Sequence, residues 1–315
     1  MNKIQSIFKL VRWPNLLMIT IMMILVYYCL MSPLYTSDVI GVMPPSPAFL
    51  LLVMSMIFIV AGGYVINDYF DVEIDKVNKP EKLVVSKVFS EKETLFFYGI
   101  LTFIGLALGL ASSVIIINIK FLTLFALLLL LTSVLYSYSS TYKRKFLIGN
   151  IIVSLSVAFA VFLPWLFEML YLSNNELFLM LSKEVVMDSL PIVLVYTAFA
   201  FLTTLMREIV KDVEDSEGDI STRCCTIPIV CGVKKTKMII TAIAMLLFVV
   251  LIYFHILLIQ MQSNVSMFIL MFAECILLLI VINLFRAKKP SDFHGLSTSL
   301  KLFMLVGIIT MIFVC

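Results

Sequence analysis

Nine long apolar runs leave this chain few ways to fold. They lie at approximately 15–34, 47–66, 95–116, 120–138, 149–168, 189–209, 238–259, 265–285 and 300–315. Runs of this length match a hydrocarbon core of ~30 Å, and inside it the backbone must satisfy its own amides, which a helix does. The last run is short for a full crossing and is expected to be tilted, buried or incompletely inserted. Only 14% of the 315 residues are charged, 62% are apolar and the mean hydropathy is +1.10. A soluble protein has about 25% charged residues, so a soluble fold is excluded. The expectation is an all-α, polytopic membrane bundle of about nine transmembrane helices, read as one domain over residues 1–315.

Orientation follows from lysine and arginine. With the N-terminus taken as cytoplasmic, 21 of the 23 basic residues fall on that side, and only Lys120 and Lys183 fall outside. This is a strong positive-inside signal. The segment MNKIQSIFKLVRWPN is read as no signal peptide, because its basic residues extend to Arg12 and no small-residue cleavage site follows. An integral, multi-pass cell-membrane protein with its polar chemistry toward the cytoplasm is expected. The net charge of +3 is unremarkable, and no nucleic-acid partner is expected.

Two acidic stretches stand out against this background. In NDYFDVEID, Asp68, Asp71 and Asp75 sit at i, i+3 and i+7, and Asn67 shares most of their helix face. In KDVEDSEGD, Asp212, Asp215 and Asp219 repeat the spacing. Each stretch follows an even-numbered apolar run on the cytoplasmic side, and Asp68 and Asp212 are 144 residues apart. That separation points to two four-helix halves related by an internal repeat, plus a ninth helix. Like charges at this spacing repel, so two such clusters facing each other need cations between them. Hard oxygen ligands in open geometry suit Mg²⁺, which commonly keeps waters and takes substrate phosphates. A diphosphate held by Mg²⁺ between two Asp-rich helix ends therefore explains the repeat better than two hydrated loops do.

Other polar residues cluster at the same side. RWPN opens the first run, with Pro14 suited to a helix start and Trp13 to the interface. Gly62-Gly63 marks either close packing or a bend. Tyr136, Tyr138, Lys143, Arg144, Lys145 and Asn150 gather after the fourth run, where the cations could offset charge developing on a leaving diphosphate. Arg207 lies close to the apolar run and calls for a carboxylate or phosphate partner, with Lys211 one turn on. Gly218 is expected to turn the backbone away. Cys29, Cys275 and Cys315 read as small apolar residues in spans. Cys224, Cys225 and Cys231 lack the CxxC pair and nearby histidine of a zinc site. His255, His294 and the intramembrane Glu274 have no partner visible in sequence.

The motifs NDYFDVEID and DVEDSEGD, with RWPN and Y…KR…GN, resemble those of the UbiA superfamily of intramembrane prenyltransferases over nearly the whole chain. The resemblance implies a nine-helix bundle that binds Mg²⁺ through Asn67, Asp68, Asp71, Asp75, Asp212, Asp215 and Asp219. It further implies diphosphate contacts from Arg12, Asn67, Lys143, Arg207 and Lys211. Asp71, Asp215, Tyr136 and Lys143 become the expected catalytic residues, with the Tyr136 ring near the allylic carbon, where it can steady a cation. Relatives often carry NRPxRP after the first motif, where this chain has NKPEKLV, so Lys79 and Lys82 lack the bidentate fork of arginine. REIVKDVEDSEGD most resembles the geranylgeranylglycerol-phosphate geranylgeranyltransferases. The expected partners are thus a prenyl diphosphate donor, a lipophilic acceptor and membrane lipids. An aromatic-acceptor enzyme of quinone biosynthesis is the alternative. A transporter would place its charges near the midplane instead of at helix ends on one side.

Overall fold

The computed structural model describes residues 3–31, 46–78, 83–115, 120–173, 176–221 and 224–314. Helix α1 (Lys3–Leu10) leads through Arg12 into α2 (Trp13–Leu25), which continues as a π-helical turn over Val26–Met31. Then come α3 (Ser46–Phe70), α4 (Val72–Asn78), α5 (Glu91–Ile115), α6 (Lys120–Ser140), α7 (Ile148–Leu172) and α8 (Glu176–Glu214). The chain finishes with α9 (Ser216–Ser221), α10 (Ile227–Gln260), α11 (Asn264–Arg286) and α12 (Pro290–Thr310). Among the described residues nine helices are long and apolar enough to cross a membrane, and no strand is present beyond one isolated bridge. The all-α bundle is the one expected.

The ninth span is the main correction to the sequence reading. It begins at Pro290, not near residue 300, and runs 24 residues to Phe313, long enough for a full crossing. Its first turns carry Ser291, Asp292, His294 and Lys301, which hide the helix from a count of apolar residues. All three residues without a partner in sequence find one. His255 of α10 and Glu274 of α11 meet at 3.2 Å, so each satisfies the other inside the span region. His294 of α12 bonds Glu214 at the end of α8 at 2.9 Å.

Packing is closest where side chains are smallest. Helices in lipid lack a hydrophobic drive toward one another, so small residues and interhelical hydrogen bonds set their contacts. Ser55 of α3 donates to the Gly105 carbonyl of α5 at 2.7 Å, and Ser112 of α5 donates to the Ala48 carbonyl at 2.8 Å. A Cβ at Gly105 would fall 2.9 Å from Ile59 Cγ1 and 3.0 Å from the Ile59 backbone nitrogen. Gly62-Gly63 also serves packing, because α3 runs unbroken through it. At the far end, the Tyr27 and Phe49 rings stack with centroids 3.8 Å apart, closing α2 onto α3.

Gly105→Leu is expected to lower the apparent melting temperature of the detergent-solubilised protein clearly, since overpacking costs about 1–3 kcal/mol. Gly99 of the same helix has nothing within 4 Å of its would-be Cβ. Gly99→Ala should therefore leave the melting temperature unchanged or raise it slightly, because alanine favours helix. Equal effects at both positions would contradict the packing account.

Candidate active site

The two acidic stretches fold alike. Asp71 stands alone between the end of α3 and the start of α4, and Asp215 between α8 and α9. Across each break the i to i−4 hydrogen bonds persist: Asp71 N–Asn67 O is 3.0 Å and Asp75 N–Asp71 O is 2.8 Å. Their counterparts, Asp215 N–Lys211 O and Asp219 N–Asp215 O, are 2.8 and 3.2 Å. The helix phase thus survives each break, and the carboxylates keep one side. The chain turns at Asp215; Gly218, expected to supply that turn, lies within α9. Helix α4 packs against α9, and Asn67 with all six aspartates lines one cavity.

Cations sit among these carboxylates. Arg12 takes the left-handed conformation (φ 53°) between α1 and α2, where any side chain is strained by about 1–2 kcal/mol. That turn swings its guanidinium onto Asp68 at 2.7 Å and over the Tyr64 ring, 4.9 Å from the centroid. Asn15 donates to the Tyr64 hydroxyl at 3.2 Å, fixing the ring. Lys143 reaches into the first motif, contacting Asp71 and donating to Asn67 Oδ1 at 3.3 Å, while Asn67 donates to Asp71 at 2.7 Å. Gly149 permits this approach, since a Cβ there would lie 3.0 Å from Lys143 Cα. Asn150, next in sequence, donates to Asp212 at 2.8 Å, so the loop before α7 and the first turn of α7 together serve both motifs. Arg144 faces the Phe70 carbonyl at the end of α3, and its own carbonyl accepts from the Cys225 amide at 2.9 Å.

The electrostatics match this crowding. Burial pushes the Asp75 carboxyl up to about 6, helped by the neighbouring Asp71 charge. Burial does the same for Asp219, also about 6, with Asp215 adding to it and a 3.3 Å hydrogen bond from Thr226 opposing it. Burial alone would lower the Lys143 pKa, but Asp71 beside it reverses the effect and raises it. Among the described residues no three His, Cys, Asp or Glu side chains stand close enough to chelate one ion. Lys143 and Arg12 hold the first motif instead.

Below the motifs the cavity becomes apolar. Its volume is 1270 Å³, above the ~300–1,000 Å³ of an ordinary small-ligand pocket. On α8 its lining runs from Asp212 down to Tyr196, sixteen residues or ~24 Å of helix. Its walls include Met22 of α2, Val161 of α7, Met304 and Ile308 of α12, and Met311 just after it. Arg12, Lys143, Arg144, Arg207 and Lys211 line it as well, whereas Tyr136 does not. Tyr136, the ring expected near the allylic carbon, is 44% exposed and packs against Tyr98 and Phe70, whereas Tyr138, two residues on, lines the cavity. Helical phase decides between two tyrosines that sequence proximity could not separate. Lys79 and Lys82 lie outside the described residues.

A membrane-embedded apolar cavity roofed by two carboxylate clusters defines an enzyme that handles a long apolar chain with an anionic head. Residues 31–304 match the model of the UbiA prenyltransferase family, and the chain belongs to that family of intramembrane prenyltransferases. A digeranylgeranylglyceryl phosphate synthase of Methanosphaera stadtmanae is 31% identical over 258 residues, 81% of this chain and 83% of that one. The synthase of the same name from Hyperthermus butylicus is 31% identical over 243 residues, 77% and 73% of the two chains. A solved digeranylgeranylglyceryl phosphate synthase shares the fold over 99% of this chain and 98% of its own, with a TM-score of 0.65 and 24% identity. A UbiA homolog from Archaeoglobus fulgidus, solved with GPP and Mg²⁺, aligns over 97% and 99% of the two chains, with a TM-score of 0.58 and 15% identity.

Glu208 is a charged cavity residue that belongs to neither acidic motif. It lines the cavity and gives one oxygen to Arg207 and the other to Lys211, both at 2.9 Å. The signal was present in REIVK, where a single acid lies between two bases at i−1 and i+3. Arg207, expected to find a carboxylate or phosphate, finds its own neighbour. Glu208→Gln should destabilise the protein by about 3 kcal/mol, because it leaves two largely buried cations without a counter-charge. Thermal unfolding of the variant checks this, and Glu208→Asp should recover part of the loss. A Gln variant as stable as the parent would contradict the pairing.

Proposed function

We propose that the protein transfers a geranylgeranyl group from its diphosphate to the free hydroxyl of geranylgeranylglyceryl phosphate, forming a second ether bond, with Mg²⁺ and at the cytoplasmic face of the cell membrane. The observation that carries this is the pairing of two Asp-rich breaks with a deep apolar cavity large enough for two lipid substrates. The acceptor rests on relatives above 30% identity, most of whose length this chain covers. The membrane side rests on the lysine and arginine bias.

The residues present fit Mg²⁺. Carboxylate and amide oxygens are hard ligands, and Asp75 and Asp219, both at about 6, belong to clusters holding more negative charge than the neighbouring cations neutralise. Asn67, Asp71 and Asp75 would hold metal on one side, and Asp212, Asp215 and Asp219 on the other. When bound, Mg²⁺ supplies Lewis-acid stabilisation of the departing diphosphate. The chain does the rest. Lys143 and Arg12 carry positive charge to the same region, where it stabilises negative charge developing on the leaving oxygens. The apolar walls keep water from the allylic cation, and the Tyr138 ring offers it a π face. The C–O bond to diphosphate breaks, the acceptor hydroxyl forms the new C–O bond, and its proton is released.

Asp71→Asn or Asp215→Asn should reduce turnover at least ~10²-fold with expression near normal, and EDTA should abolish activity. Full turnover in EDTA would refute the metal. Offered geranylgeranylglyceryl phosphate beside 4-hydroxybenzoate or a dihydroxynaphthoate, the protein should prenylate the first alone. Prenylation of an aromatic acid alone would move the acceptor to the quinone class and leave the metal site standing.

The raised carboxyl pKa values set a pH dependence. Asp75 and Asp219 bind protons up to about 6 in the folded protein, against ~3.9 in the unfolded chain. Metal-free stability should thus fall as pH rises through that window. Mg²⁺ must displace those protons, so the thermal stabilisation it gives should be small near about pH 5 and large near about pH 7.5. Equal stabilisation at both would contradict this assignment.

A further inference from the structure

The charges around the cavity balance in number but not in place. Its lining carries seven basic and seven acidic side chains. Six of the acids are the motif aspartates, two of them already engaged by Arg12 and Lys143. Farther along the α8 wall and across to α12, the balance reverses. There Arg207, Lys211 and Lys301 share one acid, Glu208, whose two oxygens bond Arg207 and Lys211. The charged groups acting most strongly on Lys301 are Arg207 and Lys211, then Glu208 and Arg12, with no motif aspartate among them.

Hydrogen-bond donors are left over in the same place. Arg207 Nε and Thr204 Oγ1 are buried and have no hydrogen-bond partner among the described residues, and both residues line the cavity. A buried donor without an acceptor costs about 1–3 kcal/mol. Lys301 forms no ion pair among the described residues, although it lies eleven residues into α12, ~16 Å along the helix from Pro290. It lines the cavity and is exposed, so it stands where the cavity reaches the protein surface on α12. Donors on two packed helices, α8 and α12, in surplus positive charge, fit a phosphomonoester better than a two-oxygen carboxylate.

We propose that Lys301, Arg207 and Thr204 form a second anion subsite, separate from the Asp-rich diphosphate site, that binds the phosphate of the acceptor lipid at the α12 side of the cavity. This rests on the glycerol phosphate acceptor proposed above. The subsite gives the acceptor's head group a polar berth at the cavity opening, with the lipid's hydroxyl directed inward toward the donor.

The test is steady-state kinetics of wild type, Lys301→Gln, Lys301→Arg and Thr204→Val, with geranylgeranyl diphosphate and geranylgeranylglyceryl phosphate varied separately at saturating Mg²⁺. Lys301→Gln should raise the acceptor KM roughly tenfold or more, the loss of one charge-assisted bond, and leave the donor KM within about twofold. Lys301→Arg should recover most of the acceptor affinity. Thr204→Val, close in shape to the parent, should raise the acceptor KM several-fold and covers the case in which a Lys301 variant fails to fold. An unchanged acceptor KM in Lys301→Gln and Thr204→Val, or an equal rise for both substrates, overturns the subsite while leaving the acceptor in place. A wild type that prenylates an aromatic acid and not the glycerol phosphate overturns the acceptor, and the subsite with it.

Discussion

Six aspartates meet at one end of an apolar bundle, and keeping them charged there governs what surrounds them. Repulsion between like charges is weak in water but grows as solvent is withdrawn. The chain answers with cations drawn from distant parts of the sequence: Arg12 from before the first span, and Lys143 from the loop before the fifth. Both are positioned at some cost. Arg12 takes a left-handed backbone, and Lys143 lies so close to α7 that a Cβ at 149 would press on its backbone at 3.0 Å. These contacts oppose charge without supplying a full set of metal ligands, so the site is compact and still open to a dication.

The bundle exists to hold those two breaks in register. Serine hydroxyls and small residues bring α3 against α5, while α8 packs against α7, α10 and α12. The site elements α4 and α9 then meet as the short continuations of α3 and α8. Because each break keeps the helix phase, the deep walls and the carboxylate roof are parts of the same helices. An apolar chain lying along α8 therefore has its head placed by the same element that carries Asp212 and leads directly into Asp215.

Much of this was legible in the residues. Apolar length marked the nine spans, save the start of the last, and the repeated i, i+3, i+7 aspartates marked the residues that line one end of the cavity, because both signals are periodic and local. What escaped was set by tertiary geometry. The start of α12 was hidden by polar residues that a long helix tolerates where they face a cavity or the surface. His255 and Glu274 looked isolated because their pairing joins two helices. Tyr136 and Tyr138 differ by two residues, hence by just over half a helical turn, and only packing shows which ring enters the cavity. Glu208 was overlooked because it repeats no motif, yet it is the acid that fixes both Arg207 and Lys211.

The central claim is that the two breaks form one site around one diphosphate. A structure of the protein with a thio-substituted, non-ionising geranylgeranyl diphosphate and Mn²⁺, its metals located by anomalous scattering, tests that most directly. The account predicts metal against both the Asp71 and the Asp215 segments, bound to the two sides of a single diphosphate, with the prenyl chain running down past Tyr138 toward Tyr196. Metal on one segment only, or a diphosphate lying clear of both, would contradict it.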